Sequence, residues 1–197
     1  MKINNEIFFE NLSSHKNVLQ KLDCVADIVS EAGEAISRAL ISGGRVFFCG
    51  NGGSAADAQH LAAEFSGRYK TERPPLDGIA LHCNTSALTA VANDYSFDEI
   101  FARQIAAHGR KGDVLVAIST SGNSSNIVKA SEKAKEMGIF TIGMTGLHGG
   151  RLKDKVDMLI AVPSDSTPRI QEMHIMIGHI LCEIAEKVVA VDPAWKV

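Results

Sequence analysis

From Val18 onward, apolar side chains recur at Val18, Leu22, Val25, Val29, Ala32, Ile36 and Ala39. Alternating steps of four and three predict a long helix with one narrow apolar seam, closed by Gly43 and Gly44. A seam of this kind on a terminal helix favours packing against a second such helix, so subunit association is the expected use of residues 1–43, ahead of docking on the core. Past the glycines the pattern changes. Short continuous apolar runs at 45–49 (RVFFC), 79–83 (IALHC), 114–118 (VLVAI), 140–144 (FTIGM) and 158–162 (MLIAV) read as buried parallel strands. Helical candidates lie between and after them at 54–69, 85–93, 97–107, 124–137 and 167–189. The alternation predicts an α/β fold: a doubly wound five-stranded parallel sheet between two helical layers, a three-layer αβα arrangement with an N-terminal helical arm.

A chain of 197 residues with 45% hydrophobic side chains can bury one full core and is short for two. Residues 1–197 are therefore read as a single domain, with 44–197 as the α/β core. The polar, proline-containing stretch 71–78 (TERPPLDG) is a surface connection between elements. The net charge of −3 and the scattered basic residues give no footprint for nucleic acid. No apolar run approaches the roughly 18 residues of a membrane span, and the N-terminus lacks the apolar run of a signal peptide. Cys24, Cys49, Cys83 and Cys182 are widely spaced among apolar neighbours, which suits reduced thiols and a cytoplasmic setting.

Two loops carry candidate chemistry. The first strand runs into Gly50-Asn51-Gly52-Gly53-Ser54, and a helix is expected to open at Ser54, whose hydroxyl can cap it. Such a turn presents donors to an anion or polyol, although many α/β proteins need one merely to reverse direction. The third strand ends in Ser119-Thr120-Ser121-Gly122-Asn123-Ser124, four hydroxyls in six positions at the carboxyl edge where open sheets bind ligands. Hydroxyls and helix N-terminal amides can hold a phosphate without a lysine, and neither the lysine-bearing nucleotide loop nor the dinucleotide glycine fingerprint is present.

His60 and Glu64 stand four apart on the helix after the first loop and share a face. Taken alone, such a pair is ordinarily a solvated surface feature. The last helix adds Gln171, His174 and His179, and His174 among its apolar neighbours reads as a hydrogen-bonded core residue. Where the two helices meet, His60, Glu64, Gln171 and His179 would offer two nitrogens and two oxygens, a set acceptable to zinc. A carboxylate beside an imidazole also suits moving a proton between C1 and C2 of an open-chain sugar.

The segments at 49–69 (CGNGGSAADAQHLAAEFSGRY), 89–105 (TAVANDYSFDEIFARQI), 117–127 (AISTSGNSSNI) and 167–175 (TPRIQEMHI), followed by His179, resemble the phosphoheptose isomerases of the sugar isomerase (SIS) domain superfamily. The resemblance spans nearly the whole chain. It implies a five-stranded SIS core and an aldose-ketose isomerase that converts sedoheptulose 7-phosphate, through an enediol, to D-glycero-D-manno-heptose 7-phosphate for nucleotide-activated heptose of the cell envelope, whether lipopolysaccharide, capsule or a surface-layer glycan. It further implies a homotetramer whose sites lie at subunit interfaces. Ser119, Thr120, Ser121 and Ser124 would hold the phosphate, and Asn51, Gly52, Gly53, Ser54, Asn93 and Asp94 the sugar chain. His60, Glu64, Gln171 and His179 would bind one zinc per subunit, Glu64 and Gln171 also touching substrate, with Glu64 as base and His179 as acid. A non-catalytic relative that associates with the bacterial replication initiator shares the TERP-type connection and the RIQEMH segment. It lacks the acid/base pair kept here, which favours the enzyme.

Overall fold

The computed structural model describes residues 2–192. Its helices are α1 (Lys2–Leu19), α2 (Ala26–Ile41), α3 (Gly53–Ser66), α4 (Thr85–Asp94), α5 (Ile100–His108), α6 (Ser125–Glu136) and α7 (Thr167–Val191). Its strands are β1 (Val46–Cys49), β2 (Gly78–Ala80), β3 (Val114–Ile118), β4 (Phe140–Thr145) and β5 (Met158–Ala161). All neighbours pair in parallel, in the order β2-β1-β3-β4-β5.

Strand residues alternate between two apolar layers, as a pleat requires. Val46, Phe48, Val114, Val116 and Ile118 face a layer that includes residues of α2, α3 and α7. Phe47, Cys49, Leu115 and Ala117 face residues of α5 and α6 on the other side. This is the expected three-layer arrangement. From β1 the chain crosses outward to β2, whereas from β3 it crosses the opposite way to β4. The carboxyl ends of β1 and β3 therefore flank the point where the winding reverses, the place where such sheets hold ligands. Both loops singled out from their composition open there.

The expected long helix from Val18 is broken: Leu22–Val25 is a 3₁₀ turn between α1 and α2. The seam is used, but within the chain. Val18, Leu22, Val25, Val29, Ala32 and Ile36 are buried, and a Cβ on Gly33 would lie 2.7 Å from Cγ2 of Ile184 on α7. The seam is thus buried by docking on the chain's own core. Large apolar residues that α1 leaves in the open include Ile7, Phe8 and Phe9, at 52%, 61% and 63% exposure. Arg169, given no role from the sequence, is buried and donates to the Asn11 carbonyl of α1 at 2.6 Å and to Glu172 at 2.5 Å.

Other boundaries move for local reasons. The second strand ends at Ala80 and not at Cys83, although Leu81 stays buried beyond it. The helix expected over 97–107 begins as a 3₁₀ turn at Phe97–Glu99. Cys49 and Cys182 are buried, while Cys24 and Cys83 are exposed, and all four are free thiols. No helix among the described residues is long and apolar enough to cross a membrane.

Candidate active site

The first loop reverses at Gly52, whose φ of +55° is open to glycine but strained for other residues. It is the N-cap of α3, so the helix starts one residue before Ser54; Ser54 is buried in the first turn and does not cap it. The second loop reverses at Gly122, with φ +67°, where a Cβ would lie 2.0 Å from the Gly149 carbonyl oxygen. Ser119 Oγ donates to Ser124 Oγ at 3.2 Å, and Ser121 Oγ accepts from the Asn123 N–H at 3.1 Å. Neither N-cap residue, Gly52 of α3 or Ser124 of α6, makes a side-chain cap bond, and in the first turn of α6 the Ile127 N–H donates to Asn126 Oδ1 at 3.0 Å. A cavity of about 310 Å³, lined in part by Thr120, Ser121 and Asn123, opens beside the hydroxyl loop.

A reciprocal amide pair locks the two loops together. Asn51 Nδ2 donates to Asn126 Oδ1 at 2.9 Å, and Asn126 Nδ2 donates to Asn51 Oδ1 at 2.8 Å. Asn126 is buried in the first turn of α6.

On α3, His60 and Glu64 lie one turn apart with Nε2 and Oε1 separated by 3.3 Å. His179 on α7, 119 positions later, brings its Nε2 to 2.9 Å from that of His60. One donor atom from each of the three falls within 4.8 Å of the others. This convergence follows from the close approach of α3 and α7: a Cβ on Gly178 would meet Leu61 Cδ1 at 2.6 Å. The His60 and Glu64 side chains are 49% and 21% exposed, so the cluster is open to solvent. Ligands of a tetrahedral zinc stand about 3.3 Å apart, the scale of the separations here, so two imidazoles and a carboxylate fit such an ion.

Gln171 sits at the edge of the cluster. A Cβ on Gly53 would lie 1.8 Å from its Nε2, and its carboxamide lies beside the Asp57 carboxylate, whose buried Oδ2 has no hydrogen-bond partner. Asp57, one turn before His60, was missed from the sequence. Burial pushes its carboxyl up, while the Gln171 carboxamide and the His60 and His179 rings hold back part of that rise. The signal was its spacing, three before His60 and seven before Glu64 on one helix face. Asn126 was missed as well. Asn93 and Asp94 are not joined to the loops: Asn93 donates to the Asp94 carboxylate at 2.8 Å and both are exposed at the end of α4. His174 is buried as expected, its Nε2 at 3.1 Å from the Thr145 carbonyl.

A doubly wound sheet whose switch point carries a hydroxyl loop, with a carboxylate and imidazoles gathered between α3 and α7, defines a sugar isomerase domain. The SIS domain family model matches residues 10–146. A phosphoheptose isomerase of Rhodospirillum rubrum is 60% identical over 164 residues, 83% of this chain and 87% of the relative. One from Helicobacter pylori strain P12 is 52% identical over 175 residues, 88% of this chain and 91% of the relative. The solved phosphoheptose isomerase of Neisseria gonorrhoeae superposes with a TM-score of 0.88 at 40% identity, covering 93% of this chain and 98% of its own. The chain belongs to the phosphoheptose isomerases.

Proposed function

We propose that the chain isomerises sedoheptulose 7-phosphate to D-glycero-D-manno-heptose 7-phosphate in the route to nucleotide-activated heptose, with Glu64 and His179 carrying the protons. The observation that carries this reading is the meeting of His60, Glu64 and His179 within 4.8 Å of one another, where α3, the helix that opens from the glycine loop, packs against α7. It also favours catalysis over the initiator-binding alternative, which has no need of an acid/base pair.

The phosphate is held by the hydroxyls of Ser119, Thr120, Ser121 and Ser124 with the N-terminal amides of α6. Backbone groups of Asn51, Gly52 and Gly53, with Ser54 and Gln171, hold the sugar chain, because the Asn51 amide is already engaged by Asn126. Glu64 removes a C1 proton and returns it to C2. His179 gives a proton to O2 and accepts the one released from O1, so the cis-enediol forms and collapses without net proton change. Zinc, when held by His60, Glu64 and His179 with Gln171 beside them, would supply Lewis-acid polarisation of the carbonyl and stabilise the enediolate. The second carboxylate oxygen leaves Glu64 able to accept a proton while the first is engaged.

Association as a homotetramer, with interfaces completing each site, is supported by the exposed Ile7, Phe8 and Phe9 of α1 and by α4, which buries none of its residues in the single chain. Asn93 and Asp94 at the end of α4 would then reach a site from a neighbouring copy. Free thiols at four cysteines and a phosphorylated sugar substrate fit a cytoplasmic setting.

The test is turnover of sedoheptulose 7-phosphate by the natural chain, Glu64→Gln and His179→Ala, with native mass spectrometry and metal analysis of each. Each substitution is expected to lower kcat by about 10² to 10⁴. An inactive natural chain or fully active variants would sink the reading.

A further inference from the structure

The stretch after α3 was read as a surface connection, yet it contains a buried ion pair within reach of the site. The Arg73 and Glu186 side chains are only 2% and 1% exposed, with Nε and Oε2 3.3 Å apart. Glu186 accepts three consecutive backbone N–H groups, from Tyr69 and Lys70 at 2.9 Å each and Thr71 at 2.8 Å. Burial alone would raise this carboxyl, but the Thr71 bonds and the Lys70 and Tyr69 amides hold it below the ordinary range. The Arg73 guanidinium donates to the carbonyls of Glu64 at 2.8 Å, Phe65 at 3.0 Å and Gly67 at 3.1 Å, at the end of α3 where helical partners run out. Removing two charges from water is costly unless both are fully partnered. Here they are buried where the last turn of α3, bearing Glu64, meets the helix that bears His179.

Tyr69 is what this clamp presents to the site. Its ring stacks on His179, with centroids 5.4 Å apart and planes 22° apart. The His60 ring meets His179 edge-on, at 5.1 Å and 76°. The imidazole is therefore held by one neighbour at its face and another at an angle, both favourable ring geometries. The Lys70 ammonium lies 5.2 Å from the Tyr69 ring centre and pairs with Glu183 at 2.7 Å, steadying the tyrosine from α7. Without the face-on neighbour, only the edge-on His60 contact is left to keep the His179 ring from turning about its Cβ–Cγ bond and carrying Nε2 out of line.

We propose that Tyr69 is a positioning residue for His179: its ring sets the plane of the imidazole, and the Arg73–Glu186 pair sets Tyr69. The inference rests on the reading of His179 as the proton carrier at the sugar oxygens. Tyr69→Leu removes the ring from a half-buried position and leaves the clamp's backbone bonds in place. Its kcat is expected to fall between about tenfold and a hundredfold, as a small misplacement of an acid/base group does, with KM nearly unchanged. Tyr69→Phe keeps the stacking face and restores most of kcat. A second readout needs no turnover: in proton–carbon spectra of histidine-labelled chain, the His179 ring signals, identified by their loss in His179→Ala, carry the ring-current shift of a stacked aromatic. That shift disappears in Tyr69→Leu and persists in Tyr69→Phe. The proposal is overturned if Tyr69→Leu keeps its kcat, alters KM alone, or leaves the His179 signals in place. A chain inactive toward heptose phosphate whose His179 shift nonetheless depends on Tyr69 would refute the proposed function and leave the positioning intact.

Discussion

Replacing Gly178 with alanine tests whether the acid and base are held at their separation by the contact of two helices. A Cβ at this position would lie 2.6 Å from Leu61 Cδ1, 2.7 Å from Cδ2 and 3.2 Å from Cγ. Carbon pairs prefer about 3.5 to 4.0 Å, so the shortfall is close to 1 Å. Leu61 cannot swing aside cheaply, being 1% exposed and blocked at three atoms, so α3 and α7 must move apart. Overpacking of this kind costs about 1 to 3 kcal/mol, and alanine returns about 1 kcal/mol of helix propensity over glycine. The net loss is then between about 0 and 2 kcal/mol, readable as a shift in urea midpoint. The catalytic effect should be larger than the stability effect. Leu61 adjoins His60 and Gly178 adjoins His179, so a displacement near 1 Å opens the cluster and is expected to lower kcat about a hundredfold. Leu61→Ala in the same chain removes the obstacle, and the two changes should couple favourably by about 0.5 to 3 kcal/mol in a double-mutant cycle. A Gly178→Ala enzyme with natural turnover and about 1 kcal/mol of added stability would show that Leu61 yields alone, and that this contact does not set the acid/base distance.

Acid lability should trace in part to His174. Burial drives its imidazole down to about 4, against a smaller upward pull from the Thr145 carbonyl. Since the unfolded value is about 6.5, the unfolded chain takes up the proton first; the stability is whole above that pH and is lost as pH falls from about 6.5 to about 4, by at most about 3 kcal/mol. Urea midpoints at several pH values should show this slope and a shallower one in His174→Gln, and equal slopes would contradict the assignment. Gly53→Ala should separate activity from stability differently. Its Cβ would fall 1.8 Å from Gln171 Nε2, but that carboxamide is the end of a flexible chain, so it swings away and gives up its polar contact with the Asp57 carboxylate. Loss of one such contact costs about 0.5 to 1.5 kcal/mol, whereas kcat/KM should fall further if Gln171 serves the site; unchanged kcat/KM would remove it from the machinery.

The strands were readable because β1 and β3 are buried on both faces, which leaves runs with no polar gap, and β3 matches its run at both ends. The same reading overran at β2 and ignored the break in the first helix for one reason: apolar spacing records burial, and burial continues where backbone pairing stops. Leu81 is 2% exposed outside the strand, and Leu22 and Val25 remain buried inside a 3₁₀ turn. In the site, the hydroxyl loop and the His60–Glu64 spacing are local and therefore visible. Their meeting with His179 depends on the strand order and on a glycine that lets two helices touch, which no local window contains.

The polar residues that were missed share a different cause. Asp57, Asn126 and Glu186 carry no local motif, and Arg73 lies in the stretch read as a surface connection, because a polar side chain is exposed by default. On α7 the phase of the stripe already contradicted that default. Arg169, His174 and Glu186 fall in step with Ile170, Met173, Ile177, Leu181, Cys182, Ala185 and Val189, and all ten positions are buried. A charged or polar residue in phase with a buried apolar stripe must find a partner, since leaving it unpaired in the interior costs more than the fold can spare. Arg169 takes the Asn11 carbonyl and Glu172, His174 takes the Thr145 carbonyl, and Glu186 takes Arg73 with three backbone amides. Such a position therefore points outward from its own helix, to whatever segment must come close enough to satisfy it. In this chain, Glu186 marks the stretch after α3 as anchored against α7.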